Sequence, residues 1–192
     1  MTSKYHQKRK GGEISLQKQE SYLVEQSKNG DRKAYEQLYR NNVGKVHGLC
    51  LRLCGQKELA EDLTQEAFVK AWLKIDTFRG DSAFGSWMYR LTSNLVIGYL
   101  RQQTKWKMES FSEAHENSMG FASIHEERPD LDTALMSLPQ QARVVVILHE
   151  YLGYQHNEIS DITGMAVGSS KSQLHRAKSL LKAKAAKKQV YL

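Results

Sequence analysis

Proline and cysteine are scarce in this chain, with 2 of each among 192 residues. Few prolines leave room for long helices, and few cysteines exclude the disulfide framework of a small secreted domain. Long apolar runs are missing too, and nothing approaches the roughly 18 residues that a membrane span needs. The opening stretch, MTSKYHQKRKGGE, has cations but no apolar segment and is not expected to be a signal peptide. A cytoplasmic protein without membrane insertion is the expectation. Signatures of catalysis are absent as well. His149, His156 and His175 have no serine, cysteine or carboxylate constellation around them, there is no HExxH, and no glycine-rich loop suits a phosphate. Neither an enzyme nor a cofactor is expected.

What the chain does contain is helix-forming material: Leu, Ala, Lys, Gln and Glu are abundant, and hydrophobic residues make up 40%, enough for packed cores. Its length suits one ordinary domain or two small ones. A net charge of +7 and a pI of about 9.3 call for a polyanionic partner, either nucleic acid or an anionic membrane surface.

Residues 1–20 are polar, with Lys8-Arg9-Lys10 ahead of Gly11-Gly12, and are expected to form a disordered basic tail without an assignable role. Residues 21–104 make a first helical domain, its periodicity starting at Tyr22. Asn29-Gly30 reads as a helix end, with Gly30 in a left-handed position and Asp31 capping the next helix, which runs through Val46, Leu49 and Leu53 to Gly55. Between Glu109 and Asp132, seven acids face the single base Arg128 and no apolar period persists. Residues 105–130 are therefore expected to be a flexible acidic linker. Residues 131–188 form a second domain, in which Leu135, Leu138, Val144, Val145, Ile147 and Leu148 support two short helices, with Pro139 near the start of the second. The expected fold class is all-α: two small helical domains joined by the linker.

The stretch from Glu58 to Arg101 carries two helical patterns about a break at Phe78-Arg79-Gly80-Asp81-Ser82. In the first, Leu59, Leu63, Ala67 and Ala71 form an apolar stripe, while Asp62, Gln65, Glu66 and Lys70 share another face. In the second, Trp87, Tyr89, Arg90, Asn94, Tyr99 and Arg101 combine rings, cations and an amide. Rings stack on bases, cations hold phosphates, and an amide can read a base edge, which together suit single-stranded nucleic acid. Core packing with a solvated charged face is the competing reading for each residue taken singly.

Near the other end, Ile159 and Ile162 lie on a short helix closed by Gly164, Met165 to Gly168 make a tight turn, and Ser169 or Ser170 caps a final helix with Leu174, Ala177, Leu180 and Leu181 inside. Asp161 is the last acid, so this final helix is strongly basic. That is a helix-turn-helix pattern, the second helix of the second domain's motif being the recognition helix. Ser169, Ser170, Lys171, Gln173 and His175 would face base edges in a major groove, and Arg176 and Lys178 would hold phosphates. A basic helix that is merely solvated is the alternative. His47, Cys50 and Cys54 share one helix at spacings that invite a metal or redox role. The usual zinc pattern pairs a close cysteine couple with a distant one, however, and buried apolar positions fit these cysteines better. No metal site is expected.

In the strings AEDLTQEAFVKAW, IDTFRGDSAFGSWMYRLTSNL, LMSLPQQARVVVIL and AVGSSKSQLHRAK, the chain resembles bacterial sigma factors, in particular the small extracytoplasmic-function group. The resemblance spans roughly Tyr22 to Lys184 apart from the linker. It implies a factor that binds core RNA polymerase and directs it to promoters. Asp62, Gln65, Glu66 and Lys70 would meet the polymerase, at the β′ clamp helices, with the β subunit also a partner. The segment holding Phe78, Arg79, Asp81, Ser82 and Phe84 would capture a flipped base of the non-template −10 strand, with Trp87, Tyr89, Arg90 and Asn94 beside it. The helix from Ser169 to Lys178 would read −35 duplex. The linker would thread near the active-site channel, and an anti-sigma factor, able to hold the protein indirectly at a membrane, is a further implied partner. A helix-turn-helix regulator that does not replace a sigma subunit is the alternative function. Three departures from the family pattern stand out. Ser170 replaces an apolar residue, Gln173 replaces Arg, and Gly85 replaces a larger residue and is expected to loosen its helix start.

Overall fold

A computed structural model describes residues 18–103 and 129–189, with side chains at 18–103 and 131–184. The expectations for residues 1–17 of the basic tail, for residue 104 at the end of the first domain and for 105–128 of the linker lie outside them. Among the described residues every regular element is helical, and no helix is long and apolar enough to cross a membrane.

Helix α1 covers residues 18–28, so residues 18–20 are helical rather than part of a disordered tail. Gly30 ends it at φ +87°, and Asp31 then caps α2 (Arg32–Cys54) by accepting the Lys33 N–H at 2.8 Å and the Ala34 N–H at 3.3 Å. Both follow from local chemistry: only glycine takes a left-handed turn without steric cost, and an aspartate oxygen satisfies amides left open at a helix start. Gly55, at φ +77°, terminates α2. Helix α3 (Lys57–Lys74) follows, then a short 3-10 turn (Ile75–Thr77), an exposed loop, and α4 (Phe84–Gln102). Helix α2 packs on both α3 and α4, and α3 on α4. Its inward residues Leu38, Val46, Leu49, Cys50 and Leu53 meet Leu63, Ala67 and Ala71 of α3 and Met88, Val96 and Ile97 of α4 in one buried cluster.

The second half contains α5 (Pro129–Met136), α6 (Gln140–Val146) running into a wider π turn (Ile147–Tyr151), α7 (His156–Thr163) and α8 (Val167–Gln189). Gly164 closes α7 at φ +73°. Two expectations need correction here. Helix α8 begins at Val167, so Gly168, Ser169 and Ser170 are helical: the turn is shorter than expected and neither serine caps the helix. The acidic segment also does not stay linker-like through Asp132, because α5 starts at Pro129.

The halves pack against each other. Val144, Val145, Ile147, Leu148, Ile159 and Leu174 belong to the same buried cluster as the α2–α4 core, while Leu135, Leu138, Ala142 and Ala177 form a smaller one between α5, α6 and α8. Arg52 of α2 holds Asp132 of α5 through a two-point ion pair, Nε to Oδ1 at 2.7 Å and Nη2 to Oδ2 at 3.1 Å. Arg101 at the end of α4 donates to the Ile162 carbonyl at 3.2 Å.

Candidate functional site

Three surfaces carry the residues singled out by sequence. The first is the outer face of α3. Burying Leu63, Ala67 and Ala71 turns Asp62, Gln65 and Glu66 out to solvent, with Lys70 partly exposed and paired to Glu66 at 2.8 Å. Such a one-turn surface pair adds only a few tenths of a kcal/mol, so these charges are not there to hold the fold. Sequence reasoning missed two neighbours: Val69 is 59% exposed and Leu73 73%. Their signal was their phase. They fall with Asp62 and Glu66 at helical spacing, off the apolar stripe, and so mark the face as a mixed apolar and acidic one.

The second surface is the loop before α4. Here the rings do something other than expected. Phe78 is 7% exposed and Phe84 1%, and they pack edge-to-face with centroids 5.9 Å apart. Trp87, half-buried, completes the cluster at 5.5 Å from each. The reading of Phe78 and Phe84 as residues presented to a base is therefore corrected: burying about 150–250 Å² of aromatic surface apiece outweighs leaving the rings in water. They anchor the two ends of the loop, and residues 79–83 between them, including Arg79, Asp81 and Ser82, are exposed. On α4, Arg90 and Asn94 are exposed on the side continuing from Trp87. Tyr89 points elsewhere. Its ring lies 6.2 Å from that of Tyr151, and burial pushes its phenol pKa well up. Tyr89 thus leaves the face that Trp87, Arg90 and Asn94 share.

The third surface is α8. Ser169, Lys171, His175, Arg176 and Lys178 are exposed, and Gln173 is half-buried. Ser170 is wholly buried, which corrects its placement toward base edges. Its hydroxyl lies 2.9 Å from His156 Nδ1 of α7. A buried hydroxyl needs such a partner, and this one explains how a serine is tolerated in an apolar position. The His156 ring stacks on His149 at 4.7 Å, His149 meets Glu150 at 3.1 Å, and Glu150 reaches Lys178 at 2.8 Å. Burial first, then His149 and Lys171, hold the His156 pKa below its usual value, while Lys178 holds that of Glu150 down.

Cys50 and Cys54 are free and buried in the α2–α4 core, where burial pushes the Cys50 thiol up to about 12. A protonated, enclosed thiol is a packing group. Gly85 faces α2 at the first turn of α4, where a Cβ would meet Asn42 Oδ1 at 3.4 Å, an ordinary contact distance.

A helix-turn-helix with a basic outer helix, joined to a helical unit bearing a separate protein-like face, defines a class: helical DNA-binding transcription proteins with a second docking surface. The comparisons make the class specific. The family description "Sigma-70 region 2" matches residues 38–105, and "Sigma-70, region 4" matches residues 128–181. The ECF RNA polymerase sigma-E factor of Escherichia coli (strain K12) is 31% identical over 182 residues, covering 88% of this chain and 95% of that protein. The ECF RNA polymerase sigma factor SigE of Mycolicibacterium smegmatis is 31% identical over 80% of this chain, which spans 63% of its length. Among solved structures, the sigma factor RpoE of Bartonella quintana, in complex with the anti-sigma factor NepR, shares the fold at a TM-score of 0.50, with 23% identity over 79% of this chain and 96% of that one. This chain belongs to the extracytoplasmic-function sigma factors of RNA polymerase, and its function is to direct transcription initiation at promoters.

Proposed function

We propose that residues 21–104 bind core RNA polymerase and capture −10 DNA, that residues 131–188 read the −35 element, and that residues 105–130 link the two. The protein acts as an initiation factor rather than an enzyme, in the cytoplasm. Asp62, Gln65, Glu66 and Lys70 meet the β′ clamp helices, and Val69 with Leu73 supplies apolar contact. An interface built of charge alone gains little affinity, so the apolar pair is what makes this face a dock rather than a solvated surface.

The observation that carries the −10 reading is the ring-anchored loop. With Phe78 and Phe84 buried at its ends, the exposed segment between them is anchored on both sides. Arg79, Asp81 and Ser82 offer donors and acceptors to a flipped base, while Arg90 and Asn94 line the strand's path. Flipping costs a few kcal/mol, which hydrogen bonds and stacking of about 1–3 kcal/mol per base can offset. In the −35 reading, Lys171, Gln173 and His175 face bases, Ser169 the groove edge, and Arg176 and Lys178 the phosphates. Lys178 must exchange Glu150 for a phosphate to do so. A solved sigma factor in complex with an anti-sigma factor supports such a partner here as well.

Run-off transcription from genomic fragments with purified core polymerase tests the reading. Specific transcripts are expected only when this protein is added. A variant carrying Asp62→Ala and Gln65→Ala is expected to bind core polymerase roughly tenfold more weakly while its duplex binding persists. Transcripts that do not depend on the protein would refute the proposal, and would favour a regulator acting beside another sigma subunit.

A further inference from the structure

Helix α4 has no cap of its own. Ala83, the residue before it, offers no side-chain acceptor, and the first turn contains no acid. Four amides open at a helix start carry partial positive charge and call for an acceptor. One comes from outside: the Phe84 N–H donates to Glu20 Oε2 of α1 at 3.3 Å, across 64 residues of chain. A second helix grips the same turn. Asn42 of α2, itself tied to the Leu38 carbonyl at 2.9 Å, lies beside Gly85. Phe84 is both the first residue of α4 and the anchor at the far end of the 79–83 loop. Whatever fixes its backbone fixes where that loop ends.

We propose that Glu20 is a positioning residue for capture of the opened −10 strand: its carboxylate caps α4 from α1 and so sets the exit of the 79–83 loop. The inference rests on the strand-capturing role of that loop. Without the cap, the first turn of α4 frays, the loop samples several widths, and the strand must select the open one. Affinity for the strand falls, whereas the α3 face and α8 are untouched.

The test uses holoenzyme reconstituted from core polymerase and the full chain. The probes are a labelled promoter fork, duplex through −35 with a single-stranded non-template −10 segment, and the same duplex without that strand. Loss of a cap should weaken the strand-dependent gain of Glu20→Ala by roughly 3- to 10-fold. Core assembly and binding of the strandless duplex should match the parent protein. Glu20→Gln, which keeps an acceptor, should recover most of the loss, and Ala83→Ser in the Glu20→Ala background should recover it by supplying a local cap. If the parent holoenzyme gains nothing from the single strand, the loop's role itself is wrong. If the parent gains and Glu20→Ala gains equally, the positioning role alone is overturned. An equal loss on both probes, or a loss that Ala83→Ser fails to repair, likewise overturns it.

Discussion

Phe84 separates two accounts of the −10 surface, one in which its ring meets DNA and one in which it holds the loop from inside. It is 1% exposed and packed against Phe78 and Trp87. Removing a ring from such a site forfeits its transfer energy and leaves a cavity, about 3–5 kcal/mol in all for Phe→Ala. With a urea dependence near 2 kcal/mol per molar, the midpoint of Phe84→Ala should fall by about 1.5–2.5 M, in the absence of any DNA. Phe84→Leu keeps most of the apolar volume, should lose about 1–1.5 kcal/mol, and should retain most strand binding in holoenzyme. Equilibrium urea unfolding followed by circular dichroism, run beside fork binding, reads both quantities. A Phe84→Ala protein that unfolds like the parent yet no longer binds the strand would refute the anchoring argument and return the ring to the DNA.

Gly55→Ala should be costly for two reasons, the strained φ of +77° and a Cβ placed 2.7 Å from Arg143 Nη2. A loss of about 2–3 kcal/mol, or about 4–12 °C in melting temperature, is expected. Gly30→Ala, strained at φ +87° with open space around it, should lose only about 1 kcal/mol, and equal losses would exclude the Arg143 contact. His156 has its pKa held below the usual 6.5, so the unfolded chain binds its proton more readily than the folded one. The stability this contributes is present above pH 6.5 and is lost as the pH falls through the folded value. Urea midpoints should therefore drop between about pH 8 and about pH 5, less steeply in His156→Gln, and identical slopes would remove this group from the account. Cys50, with its thiol pushed up to about 12 and fully enclosed, should resist iodoacetamide in the native protein and react once urea unfolds it. Rapid native labelling would contradict its burial.

Much of the fold and part of the site were legible because they are local. Gly30, Gly55 and Gly164 end helices through their own backbone freedom, and Asp31 caps its neighbour through a side chain two and three residues away. The α3 stripe declares its inner face by spacing, and so leaves Asp62, Gln65 and Glu66 outside. The basic final helix is likewise written in composition. Its start was misjudged, since Gly168 and two serines resemble turn residues, yet helix packing carries all three into α8.

What the chain could not declare is which partner covers each apolar face. Periodicity reports that Phe78, Phe84 and Trp87 are aromatic, not whether protein or DNA meets them, and only the α2–α4 packing turns the two phenylalanines inward. Ser170 looked like a base contact until His156 of another helix supplied its buried hydroxyl with a partner. Asp132 looked like linker charge until Arg52 held it from 80 residues away. Glu20 seemed the last residue of a tail until it reached the Phe84 amide. Sequence alone determined most of the helices, the glycine-closed ends among them, and the sign of their surfaces, since those depend on neighbours within about one turn. Tertiary structure decided which rings anchor and which polar groups remain exposed, since that depends on contacts between residues far apart in the chain.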